Sequence, residues 1–254
     1  MRFLFLILLA SFSIKAQLKL SDSLSFPYDH VKMNAIGNVF AYNQDSVVLL
    51  DSSYAYKFTY DYSSLGSIES LSSNVSLKTL IFDKNNQSLF FLDNSLSLQN
   101  QKSIPSSFAW VDQIEWLSNG NFVIHNNENH LLICDAAFKV IYDSGNLENL
   151  LGLKYEGLQL HVDGDQILLC GREQQVELDM NGALISNLRY SIERAFAYSE
   201  GALLCEQDSI VLGRDLSSTQ TIFDIKRRNV SDLQVFDGKI YLLSQNMLYI
   251  YIIQ

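Results

Sequence analysis

An aspartate returns along this 254-residue chain at Asp51, Asp93, Asp135, Asp179 and Asp215, in steps of 42, 42, 44 and 36 residues. Each follows a short apolar run: Val47–Leu50, Phe90–Leu92, Leu131–Cys134, Val176–Leu178 and Ile210–Leu212. Each precedes a second apolar or alternating segment a few residues later. A period near forty with several short strands per period is how a β-propeller is written in sequence. A glycine-bearing turn supplies a second marker at Gly37-Asn38, Gly120-Asn121, Gly164-Asp165, Gly201-Ala202 and Gly238-Lys239, with Leu77-Lys78 in its place in the second unit. Glycine beside Asn or Asp suits tight hairpins that need a positive φ.

The markers divide the chain into units at 31–60, 68–104, 111–143, 157–188, 192–224 and 230–253. Each reads as an inner strand, a second strand, a third ending near the marker aspartate, and an outer strand. The outer strands are expected at Tyr54–Tyr60, Leu96–Ser103, Phe138–Asp143, Ala183–Leu188 and Thr219–Ile225. The last unit stops after its third strand, Met247–Ile253, and the alternating segment Leu18–Leu24 can supply the fourth. The expectation is an all-β, six-bladed β-propeller whose last blade is closed by the N-terminal strand, which removes open sheet edges. Two prolines in the chain and abundant Val, Ile, Leu, Phe and Tyr agree with strands. The marker aspartates are read as turn formers that bond their own backbone two residues on, not as a catalytic array. Ser144–Leu153 departs from the strand pattern. It reads as a short helix capped by Asn146, with Glu148 in its first turn and Gly152 ending it.

Residues 1–16, MRFLFLILLASFSIKA, combine a charged start, a short apolar core and a small residue at the cut, the pattern of a signal peptide. The apolar core is shorter than the roughly 20 residues a membrane span requires. Residues 17–254 are then expected to form a single propeller domain with no membrane-crossing segment. No cysteine follows the cut, which disfavours a lipid anchor. Without Arg2 and Lys15, 16 basic residues face 28 acidic ones, a net charge of −12. That balance disfavours nucleic acid and anionic membrane surfaces. The three cysteines contain no C-x-x-C pair. Cys170 and Cys205 occupy matching positions of adjacent units, ~10 Å apart, beyond a disulfide's Cα reach of about 4.4–6.8 Å. They and Cys134 read as small buried apolar residues.

His125-Asn126-Asn127-Glu128-Asn129-His130 has a superficial look of a metal site, yet the spacing straddles a turn and supplies no third ligand. The inner strands offer Glu115, His161, Glu193, Arg194, Asp232 and Gln234 to the central channel, as a polar lining. There is no nucleophile elbow and no phosphate-cradling glycine loop. The pairs Asp61/Glu69 and Asp112/Glu115 have a separation that spacing does not fix, and a glycosidase depends on it. No catalytic residue, metal or cofactor is therefore expected, and the chain reads as non-enzymatic. What remains is surface. Loops leading into the inner strands gather on one face and carry Tyr60, Tyr62, Phe108, Trp110, Tyr155, Arg189, Tyr190, Arg227 and Arg228. These residue types are enriched at interface hot spots; the competing reading makes each aromatic an anchor between blades. Two alternatives stay open: a glycan- or muropeptide-binding propeller, and a channel-centred lyase or hydrolase.

The segments Tyr62–Ile68, Leu80-Ile81-Phe82-Asp83-Lys84, Leu89–Ser97 and Ser144–Leu151 resemble a family of small exported β-propellers of Bacteroidetes-type bacteria. The resemblance spans most of the chain after residue 16 and is most specific in the second and third units. Phe82-Asp83-Lys84-Asn85 departs from the Tyr-Lys-Asp-Phe of near relatives. It implies a periplasmic, non-enzymatic protein held at the outer membrane through protein partners, without inserting into the membrane itself. It further implies an accessory subunit of outer-membrane export machinery, in the manner of the PorD-like component of the type 9 secretion translocon. There are no catalytic residues to carry over.

Overall fold

The structure, a computed structural model, describes residues 18–34, 36–63, 66–73, 78–189, 194–198, 201–206, 209–213, 219–223 and 230–253, with the backbone alone between 194 and 223. After β1 (Leu18–Ser25), the strands follow in groups of four. The first group is β2 (His30–Met33), β3 (Val39–Tyr42), β4 (Ser46–Leu50) and β5 (Tyr56–Asp61). The second is β6 (Ser70–Ser73), β7 (Thr79–Asp83), β8 (Ser88–Leu92) and β9 (Leu98–Ser103). The third is β10 (Val111–Trp116), β11 (Phe122–Asn126), β12 (His130–Cys134) and β13 (Val140–Asn146). Next come β14 (Gln159–Asp163), β15 (Gln166–Cys170), β16 (Gln174–Asp179) and β17 (Leu184–Arg189). They are followed by β18 (Arg194–Tyr198), β19 (Gly201–Glu206), β20 (Ser209–Gly213) and β21 (Thr219–Phe223). The chain ends on β22 (Val230–Phe236), β23 (Lys239–Ser244) and β24 (Met247–Ile253). Each group is one antiparallel sheet, and β1 returns to pair with β24, from Leu18 opposite Ile253 to Ser25 opposite Met247.

The middle strands are mostly apolar because both sheet faces are covered. On β3, Val39 and Ala41 pack toward the β1/β22–β24 sheet, whereas Phe40 and Tyr42 pack toward the β6–β9 sheet. Two more clusters of the same kind fill the spaces between successive sheets as far as β14–β17. These clusters correct the blade count. The aspartate period counts strands and leads to six blades, but a blade is a sheet packed on its neighbours. By that measure the count is five, not six: β1/β22–β24, β2–β5, β6–β9, β10–β13 and β14–β17 are the sheets joined by described side chains. The β18–β21 strands are described as backbone between β15 and β22, and Asp215 lies outside the described residues.

The marker aspartates do what turn chemistry requires. Asp51 Oδ1 accepts from the N–H groups of Ser53 at 2.8 Å and Ala55 at 3.1 Å. Asp93 takes Ser95 and Ser97, Asp135 takes Ala137 and Lys139, and Asp179 takes Asn181 and Ala183, all at 2.8–3.0 Å. The residue three after each aspartate has a positive φ: Tyr54 (64°), Leu96 (61°), Phe138 (63°) and Gly182 (84°). The first three send their side chains onto the adjoining core. At Gly182 the space is already filled, since an added Cβ would stand 2.5 Å from the Tyr142 ring of the preceding blade.

Inner strands are tied across blades by side chains that imitate a β-ladder. Gln87 accepts from Val111 N–H and donates to Val111 C=O, both at 2.9 Å. Gln113 accepts from Leu160 N–H and donates to Leu158 C=O, both at 2.7 Å. Asp232 of β22 receives Val31 N–H of β2 at 2.8 Å. Among the described residues no helix is long and apolar enough to cross a membrane.

Candidate functional site

The loops leading into inner strands, together with the turns between second and third strands, define one face, here the upper face. The aspartate and glycine turns lie on the opposite face. The inner strands enclose a cavity of about 560 Å³ lined by described residues of β2, β6, β10, β14 and β22 and, toward the upper face, by Lys84 and the exposed Glu69, Tyr155 and Glu156. Glu115, His161, Asp232 and Gln234 line it, as the sequence reading places them. Glu193 is outside the described residues, and so is the side chain of Arg194.

Two charged groups dominate the wall. At the mouth, Lys84 Nζ lies 2.9 Å from Asp112 Oδ1, and the Tyr155 hydroxyl donates to Asp112 Oδ2 at 2.5 Å. That bond, and then burial, push the Tyr155 phenol up to about 12. Deeper, Lys32 Nζ lies 2.9 Å from Glu115 Oε1 and 3.2 Å from His161 Nδ1. Burial holds His161 well below the usual imidazole value, and the Lys32 ammonium pushes the same way. His30 stacks on Tyr42 at 4.9 Å, and the Asp232 carboxylate, 3.8 Å from its Nδ1, raises its pKa. His125 is lowered by burial and bonds Asn129 Oδ1 at 2.9 Å, whereas His130 turns to Asp143 at 3.0 Å. The two histidines therefore serve different partners. Among the described residues no group of three or more His, Cys, Asp or Glu side chains is placed to hold a metal ion.

The expected interaction face separates into three sets. Tyr62 and Phe108 are corrected to core anchors, 0 % and 3 % exposed. Tyr62 meets Phe90 edge-on at 4.8 Å, and Phe108 sits in the cluster shared with Phe82, Phe122 and Ile124. Tyr60 is half-buried beside Tyr62, against the same core cluster. Trp110 and Tyr155, each 43 % exposed, and the exposed Arg189 remain on the surface. Tyr190, Arg227 and Arg228 lie outside the described residues. The structure adds Leu150, 57 % exposed on α1 (Leu147–Leu151). Its helix is capped as the sequence indicates: Asn146 accepts from Asn149 N–H, and Gly152 adopts the left-handed conformation. Trp110 immediately precedes β10, Tyr155 bonds that strand's second residue, and α1 is tied to the β11–β12 turn through Leu147 N–H and Asn129 C=O. All three therefore surround the head of one blade. Lys32 and Lys84 were not legible as site residues, because Glu115, His161 and Asp112 of other blades supply their setting, and nothing local marks Leu150 as exposed. Glu69 lines the cavity without Asp61, the partner that spacing offers it.

No family model matches this chain, and no curated protein matches it in sequence. Solved structures match its fold. BamB from Moraxella catarrhalis is similar over 93 % of this chain and 100 % of its own, with a TM-score of 0.57 at 10 % identity. Virginiamycin B lyase from Staphylococcus aureus is similar over 93 % of this chain and 99 % of its own, with a TM-score of 0.65 at 8 % identity. BBS1N, crystallised in complex with ARL6DN, is similar over 95 % of this chain and 98 % of its own, with a TM-score of 0.61 at 9 % identity. At these identities the likeness shows the β-propeller fold.

Proposed function

We propose that this chain is a non-enzymatic interaction propeller that docks a protein partner on its upper face. The observation that carries the reading is the grouping of Trp110, Leu150 and Tyr155 around the head of the β10–β13 blade. Large apolar side chains held in water by short, hydrogen-bonded loops do little for the isolated chain, and their desolvation against a partner is favourable. A neighbouring propeller crystallised with a second protein supports such a use of the fold by analogy. The partner we propose is outer-membrane export machinery of type 9 secretion kind, met from the periplasmic side. The leader-like residues 1–16 and the resemblance of Tyr62–Ile68, Leu89–Ser97 and Ser144–Leu151 to small exported propellers support that narrower reading.

The test is purification of the tagged protein from gently solubilised native envelopes, with Trp110→Ala carried in parallel. The wild-type chain should bring down a large outer-membrane channel with its accessory proteins, and the variant should lose them. Recovery of free monomer from wild type, or equal recovery from both, overturns the proposal.

A further inference from the structure

The cavity behind that face has a chemistry of its own. Lysine can only donate, so in the 3.2 Å contact with Lys32 the Nδ1 atom of His161 is the acceptor, and the ring proton belongs on Nε2. Lys32 engages Glu115 through Oε1. His161 Nε2–H and Glu115 Oε2 therefore remain as one donor and one acceptor, neither with a hydrogen-bond partner among the described residues. They come from β14 and β10 and are held by a lysine from β2, so the set is fixed by three blades.

The charge of the described wall is uneven. Glu69, Asp112, Glu115, Glu156 and Asp232 face two lysines, Lys32 and Lys84. Those lysines are matched to Glu115 and Asp112, and Glu156 has Arg172 at 3.6 Å. Glu69, exposed at the rim, and Asp232, beside His30, have no lysine or arginine partner among the described residues. Glu69 immediately precedes β6 and Asp232 lies on β22, the inner strands on either side of β2, so the unmatched negative charge brackets β2. An anion entering would meet that field, and an apolar molecule would cut the buried ion pairs off from water without replacing it. The volume, about 560 Å³, suits a small molecule.

We propose that the central cavity binds a small polyhydroxylated molecule carrying a protonated amine. The ammonium group lies toward Glu69 and Asp232, and hydroxyl groups meet His161 Nε2–H and Glu115 Oε2. This site is separate from the Trp110 surface and does not depend on the docking of a protein there.

The experiment is calorimetric titration of the intact chain with three monosaccharides of one ring form that differ in charge: glucosamine, glucose and glucuronate. Glucosamine should bind about tenfold more tightly than glucose, and glucuronate should give no heat of binding. Glu69→Gln, at an exposed rim position, should weaken glucosamine about tenfold with an unchanged melting temperature, while Trp110→Ala leaves the affinity as it was. His161→Phe, which keeps a ring and removes the donor, should weaken glucosamine and glucose alike. Absence of glucosamine binding, equal affinity for the three sugars, preference for glucuronate, or indifference to Glu69→Gln would each overturn the proposal.

Discussion

Replacing Tyr62 by alanine tests whether that ring is a wedge between blades or part of a recognition surface. The ring is fully buried, packs edge-on against Phe90 at 4.8 Å and belongs to a cluster that joins β3 and β4 to β7 and β8. Removing a buried aromatic ring to the β-carbon costs about 3–5 kcal/mol, part lost transfer energy and part cavity. Tyr62→Phe isolates the hydroxyl, which donates to Asp83 Oδ2 at 3.3 Å. Asp83 keeps the Asn86 N–H at 3.0 Å and the Asn86 side-chain amide at 2.8 Å, so it is not stranded. The loss should stay near 1 kcal/mol. Trp110→Ala, at a surface position, should shift stability by no more than about 0.5 kcal/mol. Urea unfolding at constant m-value reads these differences directly. In a melt, Tyr62→Ala should fall by roughly 6–20 °C, at 2–4 °C per kcal/mol for a chain of this size. A Tyr62→Ala variant within about 1 kcal/mol of wild type, or a Trp110→Ala variant equally destabilised, would refute the assignment of core and surface.

Three further outcomes are expected. Gly182→Ala combines a positive φ with a Cβ 2.5 Å from the Tyr142 ring and should destabilise by about 1–3 kcal/mol in urea, with Tyr142→Ala relieving the clash but not the backbone strain. His161 and His125 have depressed folded-state pKa values, so as pH falls below 6.5 the unfolded chain takes up protons that the folded one refuses. Unfolding midpoints should therefore decline on the acid side of that value, less steeply in His161→Gln; His30, raised by Asp232, acts oppositely, its contribution full below 6.5 and lost as pH rises through its folded value. The Cys134 and Cys170 thiols, buried and pushed up to about 12 by desolvation, should resist a thiol reagent in the native protein and react only after unfolding, as mass spectrometry of the labelled peptides would show.

The strands were legible because their signals are local. An aspartate bonding the backbone two and four residues on marks a turn wherever it falls, and β5, β9, β13, β17 and β21 begin within two residues of where the aspartate period puts them. The pairing of β1 with β24 was legible because a unit ending on its third strand leaves an edge that an alternating segment elsewhere can fill. Burial in the loops was not. Tyr60 and Tyr62 are the same residue type two positions apart, and the difference between them is made by Phe90 and Asp83 of the next blade. Lys32 reads as an ordinary strand residue until Glu115 and His161, 83 and 129 residues away, are brought against it. The period likewise counts strands, whereas a packed blade is defined by side chains from its neighbours.

The seam between β1 and β24 also orders events in time. Leu18 is the first described residue of the chain, and its partner Ile253 is the last. Pairing β1 with β24 closes a loop over nearly all the described residues, so loop entropy favours its forming after the local hairpins. A contact absent from the folding transition state acts on the rate of opening and leaves the rate of closing nearly alone. The seam then behaves as a latch: substitutions along Leu18–Ser25 set how long the folded ring survives, while the speed of its assembly is governed by the hairpins within each sheet.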